Sequence, residues 1–106
     1  MQQIAISADL YGAVAAGEKE ITIRRGERDY QLGSAVMNVP SGGEQYPPLA
    51  IDFVGAEITT LRHVRLVDLA ADGYESLEHA LNDLHGYYPD LTLDSVVTVV
   101  RFKLES

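Results

Sequence analysis

A chain of 106 residues, 46% hydrophobic and 23% charged, has the length and composition of one folded domain with a single core. The absence of cysteine removes disulfides, thiolate nucleophiles and cysteine-ligated zinc together. A formal charge of -8 opposes sequence-independent binding to a nucleic-acid backbone, and no apolar run reaches membrane-spanning length. The Met1 end lacks the apolar stretch of a signal peptide, so a cytoplasmic location with no membrane partner is the default expectation.

Gln2 to Ser7 reads as a short strand with Ile4 and Ile6 on one face. Asp9 is placed to cap a short helix whose Leu10, Ala13 and Val14 share a face, and Gly17 suits its left-handed end. The next stretch, Gly17 to Arg24, organises the rest. On a strand from Glu20 to Arg25, side chains alternate, so Glu20, Thr22 and Arg24 point one way while Ile21 and Ile23 point the other. Lys19 precedes that strand, just past a helix C-terminus, where a cation is electrostatically welcome even without a functional role.

Gly26 to Asp29 is a charged turn, and Ala35, Met37 and Val39 mark another strand. Pro40 to Pro48, with Gly42 and Gly43, is a loop. Ala50 to Leu66 is rich in β-branched residues; a split at Gly55 gives two strands, the second running to about Arg65. The period then changes. Leu77, Ala80, Leu81 and Leu84 form a helical stripe with Ser76 as its cap, closed by Gly86 and Pro89. Ser95 to Leu104 is apolar on both faces until Arg101, as a central strand would be. The pattern is α+β: a small β-barrel of about five to six strands with two main helices.

Charge is unevenly spread. Lys19, Arg24, Arg25 and Arg28 are half of the eight basic residues, whereas Val67 to Val100 holds no Lys or Arg. A solvated acidic face is the ordinary reading of this, and a cleft with one basic and one acidic wall is the sharper one. His63, His79 and His85 lack the spacing of zinc ligands, and Gly42-Gly43 lacks the residues of a phosphate loop. Neither a metal nor a cofactor is expected.

Gly17, Lys19 and Arg24 fit the pattern Gly-x-Lys-x-x-Glu-x-Arg, with Thr22 where that pattern has glutamate. Leu32-Gly33, the segment Asp68 to Ser76, Tyr88-Pro89 and the closing Val97 to Phe102 follow in order. Over nearly its full length the chain thereby resembles the ASCH domain family, a PUA-like β-barrel, as one domain spanning 1–106. The threonine version is similar to the bacterial N(4)-acetylcytidine amidohydrolases. That resemblance implies hydrolysis of the acetamide on the exocyclic nitrogen of cytidine, with Lys19 and Thr22 carried over as catalytic residues. The family's glutamate falls at Gly73, with Asp72 beside it and Glu75 two residues on.

Amide hydrolysis needs a nucleophile, an acceptor for its proton and a donor for the departing amine. Thr22 offers a hydroxyl. Lys19 is its base if burial and a cationic neighbour such as Arg24 strip its proton, and an oxyanion donor if it stays an ammonium. In the second case Asp72 or Glu75 activates Thr22 or a water. Arg24 is a donor for the cytosine carbonyl, and Tyr46 or Tyr30 would stack on the base. Tyr87 and Tyr88 are expected to pack beneath the second helix. A small-molecule nucleoside is the expected partner, bound by a monomer or weak dimer. The alternative is an RNA-binding or RNA-processing module using Lys19, Arg24, Arg25 and Arg28.

Overall fold

The computed structural model describes residues 1–105. Five strands form one curled sheet: β1 (Gln2–Ala5), β2 (Ile21–Arg25), β3 (Gly33–Asn38), β4 (Leu49–Thr60) and β5 (Val96–Leu104). Their spatial order is β1-β3-β4-β5-β2, with β1 parallel to β3 and every other pair antiparallel. Among the described residues three helices accompany the sheet: α1 (Ala8–Ala15), α2 (Leu66–Ala71) and α3 (Leu77–Leu84). The architecture is an α+β half-barrel.

Sheet alternation splits the core in two. Ile21, Ile23, Val97 and Val99 face Leu69 of α2 and Ala80 and Leu84 of α3. Val100 and Phe102, with Met37, Ile51 and Phe53, pack instead with Val14 of α1. A strand sandwiched between two such layers must be apolar on both faces, which is why β5 reads as a continuous run from Val97 to Val100, all essentially buried. Thr98 is the polar exception within it. Its hydroxyl donates to the Gly26 carbonyl at 2.8 Å and accepts from the Arg28 amide at 2.9 Å, so it is satisfied while fixing the turn after β2.

Four expectations are corrected. Gly55 does not separate two strands: β4 continues through it with a register shift between Phe53 and Gly55, a bulge that bends one long strand around the barrel. That strand ends at Thr60 rather than near Arg65, because residues Leu61–His63 form a 3-10 turn. Ser7, not Asp9, occupies the cap position of α1. The expected pair of main helices becomes three, since α2 occupies the stretch before α3. Ser76 does cap α3, accepting the His79 amide at 3.0 Å.

Candidate active site

β1 and β2 are the outer strands of the curled sheet, and Arg24 reaches across between them. Its Nη2 donates to the Ala5 carbonyl at the end of β1, at 2.7 Å. Beside this seam lies a cavity of about 380 Å³, walled by α1, by β2 and by the ends of α2 and α3. Volumes of ~300–1,000 Å³ are usual for small-molecule sites, so this one fits a small ligand.

Two helix ends deliver the charged groups. At the end of α1, Gly17 takes φ +76°, a conformation a side chain resists, and the amides of Glu18 and Lys19 both fold back onto the Ala13 carbonyl. This throws the Lys19 side chain over the edge of β2, where Nζ donates to the Ile21 carbonyl at 2.7 Å. At the end of α2, Asp72 is the C-cap residue and Gly73 takes φ +88°. The reversal there turns the Asp72 carboxylate onto Lys19, and the two form a hydrogen-bonded ion pair across 53 residues of sequence. Both side chains are well buried, 13% exposed for Lys19 and 5% for Asp72. Burial pushes the Asp72 carboxyl above its ordinary range; the charge and hydrogen bond of Lys19 oppose this without overcoming it.

Thr22, buried on the edge strand, lines the same cavity as Lys19, Arg24 and Asp72. Ile23, Leu10, Ala13 and Leu84 give it an apolar body. Arg24 contributes something further: its Nε is buried and has no hydrogen-bond partner among the described residues. A buried donor left unpaired costs about 1–3 kcal/mol, a penalty that an acceptor on a ligand would relieve.

Tyr87 and Tyr88 also line the cavity, which for Tyr87 corrects its expected place beneath the helix. Tyr88 does pack on the α3 side of the core, whereas Tyr87 is more than half exposed. Tyr74 and Asp83, absent from the expected site residues, complete the wall. The Tyr74 hydroxyl donates to Asp83 Oδ2 at 2.7 Å; burial, then this bond, holds the phenol above its ordinary value, so it stays a donor.

Other candidate residues lie elsewhere. Tyr46 packs edge-on against Tyr11 with ring centres 5.2 Å apart, and Tyr30 leans on Phe53 at 5.1 Å; neither lines the cavity. Glu75 is exposed and off the cavity, its amide donating to His79 Nδ1 at 3.1 Å. The basic segment is likewise divided. Lys19 and Arg24 enter the cavity, while Arg25 pairs with Asp90 and the Arg28 side chain donates to the Arg25 carbonyl. Among the described residues no three His, Asp or Glu side chains converge as ligands for a metal ion, and no helix is long and apolar enough to cross a membrane.

The likeness to solved structures places this architecture. An ASCH domain from Lactobacillus crispatus JV V101 superposes with a TM-score of 0.66 at 16% identity, over 97% of this chain and 79% of that one. Protein EF3133 from Enterococcus faecalis V583 gives a TM-score of 0.69 at 19% identity, over 99% and 76% of the two chains. Hypothetical protein PH0355 gives 0.69 at 13% identity over 98% of each. The fold is therefore that of the ASCH domain, a small α+β half-barrel. No family model matches the chain, and no curated protein matches it in sequence.

Proposed function

We propose that the protein is an amidohydrolase that removes the acetyl or a related acyl group from the exocyclic nitrogen of N(4)-acetylcytidine-type nucleosides. The observation that carries this reading is the part-buried Lys19–Asp72 pair lining one cavity with Thr22 at the seam of the half-barrel. The surroundings of Lys19 favour the oxyanion role over the base role. Nζ is held between a carboxylate and a carbonyl, both acceptors, which suits a donor and leaves one of an ammonium's three N–H bonds to spend on a ligand.

Asp72 then takes the part of proton acceptor, since a carboxylate raised by burial is a stronger base than an ordinary one. The attacking oxygen is that of Thr22 or of a water beside it. Its proton passes to Asp72 as the oxygen bonds to the acetyl carbon. The developing oxyanion is met by Lys19. As the C–N bond breaks, the proton held by Asp72 moves to the departing exocyclic nitrogen. Where water attacked, acetate leaves directly; where the Thr22 hydroxyl attacked, a water then hydrolyses the acetyl-Thr22 ester to acetate and the free hydroxyl. Arg24 Nε supplies the donor for the cytosine carbonyl, and Tyr87 and Tyr88 offer ring faces for the base. Glu75 has no part in this scheme.

Release of cytidine and acetate in equal amounts from N(4)-acetylcytidine is the test. Lys19→Ala and Thr22→Ala should each lose most of the rate; if both retain it fully, the amidase reading fails. Mass spectrometry of the quenched reaction separates the two attacking groups, because an acetylated Thr22 forms only if its hydroxyl attacks directly. The RNA-module alternative predicts instead salt-sensitive binding of a short single-stranded RNA and no acetate.

A further inference from the structure

The cavity is graded in charge from its buried end to its mouth. Thr22 is buried, and Lys19 and Asp72, partly buried with side chains 13% and 5% exposed, neutralise each other. Arg24, partly buried, is tied to the Ala5 carbonyl. The exposed lining residues that carry charge are Glu18 and Asp83, both acidic and supplied by opposite walls, one after α1 and the other on α3. Asp83 is held in place by the Tyr74 hydroxyl on Oδ2, and its other oxygen accepts nothing among the described residues.

Resting on the nucleoside reading above, we propose that Glu18 and Asp83 form an acidic rim that accepts the sugar hydroxyls of a free nucleoside and rejects its 5′-phosphorylated form. The reacting amide must reach the buried end, so the base enters first and the sugar lies at the mouth. There two carboxylates are good acceptors for O–H donors and bad neighbours for a phosphate. The substrate class is thereby narrowed to the unphosphorylated nucleoside. Reactions that consume phosphorylated nucleotides or intact RNA strands belong upstream of this site rather than in it.

Titrations with cytidine and with cytidine 5′-monophosphate test this without requiring turnover, read by tyrosine fluorescence since Tyr87 and Tyr88 line the cavity and the chain has no tryptophan. At low salt the monophosphate should bind about ten-fold or more weakly, and the gap should shrink as salt screens the rim. Glu18→Gln and Asp83→Asn, both at exposed positions, should each narrow the gap, and the double variant should bring the two ligands within about two-fold of each other. Tyr74→Phe removes the hydroxyl but keeps both charges, so it should leave the gap in place; closure of the gap there would assign the effect to local structure instead. Equal binding of the two ligands by the wild type, or an unchanged gap in the double variant, overturns the rim alone. Binding of neither ligand overturns the nucleoside reading together with it.

Discussion

Asp68 on α2 and Asp72 at its C-cap stand one turn apart with side chains 7% and 5% exposed, yet their environments push them in opposite directions. Burial raises both carboxyls. At Asp68 it is outweighed by hydrogen bonds and charge from Arg101, at 2.6 Å, and Arg65, at 3.1 Å, which hold the group below its ordinary value. At Asp72 burial wins: the charge and hydrogen bond of Lys19 and the weaker charge effect of Arg24 oppose it, while Asp83 adds like charge nearby. The balance between desolvation and the number and kind of cationic partners decides the direction. Asp68 is an anchor that ties α2 to β5; Asp72 is left basic at the cavity. Two like groups driven apart in this way are a recurrent mark of divided chemical roles.

The largest effect that would sharpen this contrast is expected at the cavity. Lys19→Ala should lower kcat/KM for N(4)-acetylcytidine by about 100-fold or more, the usual cost of removing an oxyanion donor. Steady-state cytidine release measures it, and a loss under about five-fold would break the assigned role. Next comes the anchor. Arg101→Gln leaves buried Asp68 with Arg65 alone, a partner itself mostly exposed, and should cost about 2–3 kcal/mol in urea unfolding.

Smaller still is the effect of pH, and here the two aspartates have opposite signs. The native Asp72 carboxyl holds its proton to higher pH than the unfolded chain does. Its contribution is therefore full below the ordinary carboxylate value and declines as pH rises through the raised native one. Asp68 is the reverse: its contribution is present above the ordinary value and lost as pH falls through the lowered one. Unfolding midpoints followed across pH should show Asp68→Asn flattening the acid-side loss and Asp72→Asn flattening the decline above it. If both variants change the same limb, the comparison is broken. The smallest effect belongs to a pair away from the site. Arg25 and Asp90 meet through two bonds of 2.7 and 2.8 Å, but with both side chains largely exposed, Arg25→Ala should cost only ~0–1 kcal/mol.

Much of this was legible in the residues, and the rest was hidden for identifiable reasons. Periodicity locates β5 and α3, and the Gly17-x-Lys19 turn places a cation at the edge of β2. Helix α2 escapes the same reading because it is six residues long and leaves Leu66 and Val67 exposed, so no apolar stripe marks it. Without that helix, nothing in the spacing says that Asp72 rather than Glu75 meets Lys19. The aromatic residues fail for a related reason. Ring faces are equally at home in a core or a cavity, so Tyr46 against Tyr11 and Tyr87 at the site's mouth are decided by tertiary packing alone. Tyr74 and Asp83 meet across the turn between α2 and α3, a contact that no local signal announces.

The most direct measurement is the pH dependence of N(4)-acetylcytidine hydrolysis by the wild type beside Asp72→Asn. The account predicts equimolar cytidine and acetate, a rate that climbs through a midpoint above the ordinary carboxylate range, and a loss of about 100-fold or more in the variant. No release by the wild type at any pH, or full turnover by Asp72→Asn, would contradict it.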